Sequence, residues 1–338
     1  MAGSTVTPVT EVPVDEPRTP SRSRWAVLGL VVALLIALPM FRFMGNYNYV
    51  LQLGIIILMW VAMTSSWNIL GGYTGYISLG HNVFFGVGGY VAGLLLLELG
   101  WSPFVTAPLA GLFAMLLGLV AGLITYRTHG PSFIISTIAL LLVVTLLMDN
   151  WSYLGGSSGL SLPLPPFEIG WLKVPFYYAM LVAAIGAVLL GYRVQHSKFG
   201  LSLRAIASDE VKAEVAGINT RKFKVMAFAL SAFFPGVVGA IWGYSLAYLR
   251  PVIFLLIAIA ARMVLMVIIG GRGTVAGPVI GAALLVALDE ASVTIFGGSE
   301  LNLVITGVLL VVTLLFFPMG IVGTLREHNR LPAWLDWD

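Results

Sequence analysis

Few residues in this chain could do chemistry, and those few stand in apolar company. Arg262 falls in the middle of one apolar run, and Asp289 and Glu290 fall in the next. A charge inside a bilayer is costly unless a counter-charge or water accompanies it. Counting outward from the turn near Thr274, Arg262 is twelve residues away and Asp289 fifteen. On two antiparallel helices that places them within ~4–5 Å of one depth. The spacing predicts an ion pair between Arg262 and Asp289 or Glu290, with contact to a solute or a coupled ion as the alternative. His81, beside Asn82, is either a hydrogen-bonded packing residue, the commoner use of a lone histidine, or a group on a proton or solute pathway.

A second group lies in the polar interval from Arg193 to Lys224, RVQHSKFGLSLRAIASDEVKAEVAGINTRKFK. It reads as a short helical hairpin. Ser208 is expected to cap a helix whose first turn carries Asp209 and Glu210, where negative charge suits the helix dipole. Gly217 supplies the stop, and Asn219-Thr220 restarts the chain. Seven basic residues (Arg193, Lys198, Arg204, Lys212, Arg221, Lys222, Lys224) face only Asp209, Glu210 and Glu214. Two uses fit: a solvated loop that merely fixes topology, or an element that docks on a soluble partner.

Enzyme chemistry finds little support. No Gly-Lys dipeptide occurs, so the chain has no G-x-x-x-x-G-K-[ST] phosphate loop, and HExxH is also absent. With no cysteine and four histidines, thiolate chemistry is excluded and a histidine-rich metal site is not expected. Asp289 and Glu290 are adjacent, hence on different faces of a helix, which suits no carboxylate pair.

The elements that must position these residues are membrane helices. Of 338 residues 59% are hydrophobic and 10% charged, with mean hydropathy +0.97; an all-α polytopic membrane protein is the class that composition allows. Spans are expected near 25–43, 49–70, 78–98, 103–125, 131–149, 174–192, 225–247, 252–269, 278–296 and 301–317, about ten in all. With the N-terminus inside, cytoplasmic segments hold fourteen of the eighteen Lys and Arg, and only Arg42, Lys173 and Arg250 lie outside. That asymmetry puts both termini in the cytoplasm. The net charge of +3 and pI near 9.1 come from those loops and do not indicate nucleic-acid binding. Residues 1–24, rich in Pro, Ser and Thr, read as a disordered cytoplasmic tail, 25–320 as the transmembrane domain and 321–338 as a C-terminal tail. The apolar run from Trp25 has no small-residue cleavage site and reads as a start-transfer helix that is retained.

Two Gly-rich stretches interrupt the apolar pattern, Gly71 to Tyr90 and Gly270 to Leu284, each expected at the cytoplasmic side. Small residues there allow close helix packing. Broken helices in such places also line pathways, which makes Gly71, Gly72, Ser78, Gly80, His81, Gly270 and Gly271 pathway candidates. The outer segment 150–173, with Gly155, Gly156, Gly159 and three prolines, is longer than a passive connector needs, and either faces an extracytoplasmic partner or forms a surface strand pair.

The runs ISLGHNVFFGVGGY (77–90), SKFGLSLRAIASDEVKAEVAGINTRKFKVMAFALSAFFPGVVGAIWG (197–243), VIIGGRGTVAGPVIGAAL (267–284) and LFFPMGIVG (315–323) together resemble the permease subunits of branched-chain amino acid-type ABC importers. The chain looks like the longer, outer-loop-bearing permease of that family; urea and short-chain amide permeases are similar. The resemblance covers residues 49–323. It implies a type II ABC importer-like permease in a bacterial inner membrane and a heterodimer with a second permease. Two cytoplasmic ATPases holding ATP and Mg and an extracytoplasmic solute-binding protein complete the implied assembly, with no cofactor on this chain. It further implies that 208–217 is the ATPase-coupling helix, with Ser208, Asp209, Glu210, Glu214 and Gly217. Val211-Lys212-Ala213 stands where importers carry Glu-Ala-Ala. The alternatives are an ion-coupled transporter working alone through Arg262, Asp289 and Glu290, the same importer class specific for urea or amides, or a scaffold subunit with no pathway.

Overall fold

The computed structural model describes residues 22–40, 47–168, 170–296, 307–308, 320–328 and 337. The tail up to residue 21, Arg42 and most of the expected tenth span, 301–317, lie outside the described residues. The helices are α1 (Arg22–Ala37), α2 (Tyr47–Gly71), α3 (Asn82–Leu99), α4 (Pro103–Thr125), α5 (Pro131–Asn150), α6 (Lys173–Gln195), α7 (Lys198–Ser208), α8 (Glu210–Val215), α9 (Thr220–Leu246), α10 (Pro251–Phe254), α11 (Ile257–Gly270), α12 (Ala276–Phe296) and α13 (Gly320–Glu327). Eight stretches among the described residues are long and apolar enough to cross a membrane, with the shorter apolar Gly29–Met40 beside them.

The sequence limits match closely at α4 and α5 and diverge where the backbone breaks. Helix α3 begins at Asn82 rather than residue 78, because Tyr76 to Gly80 run non-helical. The eighth span is two pieces, α10 and α11, with Leu255 and Leu256 between them. Within the segment expected as a C-terminal tail, Gly320–Glu327 is helical, and Val322 is buried.

Helix α9 is the central post. Its face of small residues meets α4 and α3, and a Cβ on Gly88 would lie 2.1 Å from the carbonyl oxygen of Gly236. Only glycine at this crossing lets α3 and α9 touch backbone to backbone. Pro235 interrupts the α9 ladder and frees the carbonyl of Ser231, four residues earlier. Ser66 Oγ on α2 donates to that carbonyl at 3.1 Å, so the lost helical bond becomes an interhelix bond. Leu112, Leu116 and Val120 of α4 and Leu142 and Leu146 of α5 are exposed and wholly apolar, as a lipid-facing surface requires.

The outer segment is ordered by pairing. After two 3₁₀ turns (Ser152–Leu154, Gly156–Ser158), strand β1 (Leu160–Ser161) pairs antiparallel with β2 (Tyr248–Leu249). The run Gly155–Gly159 formally fits G-x-S-x-G, but Ser157 sits on an exposed turn, not the strand–turn–helix elbow that activates such a serine.

Candidate functional site

The polar interval folds as two successive helices, and the capping differs from the sequence expectation. Ser197 Oγ accepts from the amide of Gly200 and starts an amphipathic α7, which the sequence reading missed as a separate helix. That helix runs through Ser208, so Ser208 closes α7 and Asp209 caps α8, its carboxylate accepting from the Lys212 amide at 3.0 Å. The same hydrogen bond, with the Lys212 ammonium at 3.1 Å, holds the Asp209 carboxyl below its usual range. Gly217 ends the turn at φ +88°, a conformation costly for any residue with a Cβ. Asn219 Oδ1 then caps α9 through the Lys222 amide.

Helix α8 is not a loose solvated loop. Tyr76, from the segment before α3, donates its phenol to Glu210. Lys224 Nζ, buried at the foot of α9, donates to Glu210 Oε1 at 3.0 Å and to the Tyr126 carbonyl at 2.9 Å, and lies 4.2 Å from the Tyr76 ring centre. His129 Nε2 stands 3.4 Å from the same carboxylate. Burial alone would raise the Glu210 pKa; the hydrogen bonds from Tyr76 and Lys224 and the nearby positive charges outweigh it and hold the group ionised. Glu214 accepts from Thr220, which ties the end of α8 to the start of α9. With Glu210 engaged inward, the outer face of α8 presents Val211, 70% exposed, and Val215, 86% exposed, one turn apart.

The segment between α2 and α3 is therefore a hub. At its start, Asn68 Oδ1 accepts from the Gly273 amide at 3.0 Å and Nδ2 donates to the Thr274 carbonyl at 2.9 Å. Arg272 Nε donates to the Gly71 carbonyl at 2.8 Å. The two Gly-rich stretches, which the sequence could only compare, are thus bolted together where Gly71 and Gly72 meet Arg272 and Gly273; Gly270 packs instead against Gly277 and Gly281, and Gly320 of α13 packs on Gly271. At its end the segment rises into the membrane. Leu79 N donates to Thr137 Oγ1 on α5, and a Cβ on Gly80 would lie 2.4 Å from the Thr137 carbonyl.

His81 is fully buried between two hydroxyls. Ser231 Oγ donates to the Phe228 carbonyl, so it accepts from His81 Nε2 at 2.8 Å, and Ser78 Oγ supplies the proton to Nδ1 at 2.9 Å. The network assigns the Nε2–H tautomer and leaves the ring no free lone pair. Ser231 is the twelfth residue of the 27-residue α9, which puts His81 and Asn82 near the middle of the bilayer, about 17 Å from the inner end of that helix. Residues 71–76 and 270–275 lie together at the end of the bundle that carries α8, whereas α3 starts further along α9, beside Ser231.

The intramembrane charges pair as their spacing predicts. Arg262 donates to Asp289, and its guanidinium carbon lies 5.1 Å from the Trp60 ring centre. Glu290 points elsewhere and accepts from Tyr49 at 2.6 Å. No group of three or more potential metal ligands occurs among the described residues.

A bundle of helices able to cross a membrane, one span broken and another entered through a non-helical segment bonded to a short helix outside the bundle, defines a polytopic membrane protein. Residues 59–314 match the family model described as "Branched-chain amino acid transport system / permease component", and the chain belongs to that family. It is 25% identical over 328 residues to the high-affinity branched-chain amino acid transport system permease protein LivM of Escherichia coli K12, covering 89% of this chain and 76% of that one. It is 28% identical over 143 residues to LivH of the same organism, covering 42% and 46%, respectively. A probable branched-chain amino acid transport permease, LivH of Methanocaldococcus jannaschii, is 26% identical over 269 residues, covering 70% and 80%. No solved structure matches.

Proposed function

We propose that this chain is one of two related permease subunits of an ATP-driven importer of branched-chain amino acids. ATP and Mg sit on two cytoplasmic ATPases, and an extracytoplasmic binding protein delivers the solute. The observation that carries the reading is the bond from Tyr76 to Glu210. It makes α8, a short cytoplasmic helix with an exposed apolar ridge (Val211, Val215), mechanically continuous with the segment that enters the membrane at Ser78–His81. An ATPase gripping α8 would move that segment, and the break in the bundle would alternate between the two faces. Similarity to both LivM and LivH relatives supports pairing with a second chain of the family.

Mild purification tests the reading: two ATPases and a second permease are expected to copurify, and Val215→Asp is expected to release the ATPases while the permease pair stays intact. Uptake into proteoliposomes should follow ATP and ignore imposed ion gradients. Uptake by the isolated chain driven by an ion gradient would overturn it, as would selective uptake of urea for the solute assigned.

A further inference from the structure

Helix α11 has 14 residues, about 21 Å, and cannot cross a 30 Å hydrocarbon core. It runs from the membrane interior to the cytoplasmic turn, whereas α3 starts at the same depth and runs outward. The two N-termini meet. Asn82, the first residue of α3, donates from Nδ2 to the carbonyl of Leu256 at 2.8 Å, and more distantly to that of Phe254 at 3.4 Å. Both partners are acceptors only, so the amide orientation is fixed. Two helix dipoles therefore point their positive ends at one spot near the midplane.

The spot is unsatisfied in two independent ways. Helix α11 is preceded by Leu256, which offers no capping side chain; its carbonyl takes the Ile259 amide at 3.0 Å, and the amides of Ile257 and Ala258 have no intrahelical acceptor. Leu256, Ile257 and Ala258 are nevertheless exposed on this chain. Orphan amides do not survive against lipid. Asn82 is completely buried, yet its Oδ1 has no hydrogen-bond partner. One end of the break lacks an acceptor and the other lacks a donor.

We infer that the α3–α11 break is a transient station for the backbone of an α-amino acid in transit, which rests on the proposed importer reading and adds a site to it. The carboxylate meets the amides of Ile257 and Ala258, where the dipoles favour negative charge. The ammonium donates to Asn82 Oδ1. The apolar side chains of Val252 and Ile253, on α10 just before the break, are exposed. The station reads the groups common to amino acids and leaves side-chain selection elsewhere.

The test uses the whole complex (both permeases, both ATPases and the binding protein) in proteoliposomes with leucine as probe. Ala258→Asp places a fixed carboxylate in the first turn of α11, and Ala258→Asn adds the same volume without charge. Leucine uptake per ATP is expected to be at least tenfold lower with Asp than with Asn, and Asn82→Ala is expected to hydrolyse ATP with little uptake. Equal uptake by the Asp and Asn variants would overturn the station, and so would failure of the Asp variant alone to assemble, since that would place the turn against lipid or a packed partner. Absence of ATP-driven uptake in the unmodified complex would instead overturn the importer reading.

Discussion

Tyr76 reaches from the segment preceding α3 to hydrogen-bond Glu210 at the start of α8, 134 residues further along the chain. This one contact joins the cytoplasmic helix to the polypeptide that passes Ser78 and His81 into the membrane.

Removing the phenol with Tyr76→Phe keeps the ring over Lys224 and deletes only the hydrogen bond. The local cost is about 1–2 kcal/mol, typical of a bond to a charged group at a partly open site. Solute moved per ATP hydrolysed should fall several-fold while the complex still assembles. Simultaneous measurement of uptake and phosphate release in proteoliposomes checks this; an unchanged ratio would remove Tyr76 from the coupling route.

Acid should loosen the same joint. The folded-state pKa of Glu210 is lowered relative to 4.5, so its contribution is fully present above about pH 4.5 and is lost as the pH falls through the lower folded value. Tyr76, Lys224 and His129 are the titratable groups that face it. Hydrogen exchange of the α8 amides is expected to accelerate in that acid range, and Glu210→Gln should erase the transition and leave α8 loose at every pH. An identical acid transition in the Gln variant would locate it elsewhere.

At Arg262 and Asp289 the prediction is thermodynamic. Arg262→Leu removes the guanidinium from Asp289 at membrane depth, and the half-open site moderates the loss to about 1–3 kcal/mol, below that of a fully buried pair. Asp289→Leu should cost a similar amount, and the double Leu variant should recover much of it. Thermal unfolding in detergent reads this directly; additive losses would mean that the two groups do not act as a pair.

Gly88→Ala inserts a methyl group where the Gly236 backbone already stands. Separating α3 from α9 should cost about 1–3 kcal/mol. Gly29→Ala on the exposed face of α1, with nothing within 4 Å, should be neutral or stabilising by about 0.5–1 kcal/mol. Comparable losses at both positions would point to glycine content as such, not to the crossing.

Much of this molecule was legible in the order of its residues because hydropathy and charge act locally. A run of about twenty apolar residues must span, basic loops set its direction, and two opposite charges at matched distances from a turn must meet. The apolar runs, the basic interval between α6 and α9 and the Arg262–Asp289 pair follow from such rules. The break at Leu255–Leu256 does not: its residues are as apolar as those of any helix, and the Asn82 amide, contributed from α3, reaches the carbonyls of Phe254 and Leu256 from a distant part of the chain. Nor could sequence assign Glu210 to the interior, since its three partners come from the segment before α3, the α4–α5 turn and the foot of α9. Ser208 was misjudged as a cap for the same reason, because the competing start at Ser197 gains its advantage from burying Leu203 and Ile206. Local preference chose which segments enter the membrane; where they break and what they grip was decided by polar groups far apart in the chain, which must find one another once water is excluded.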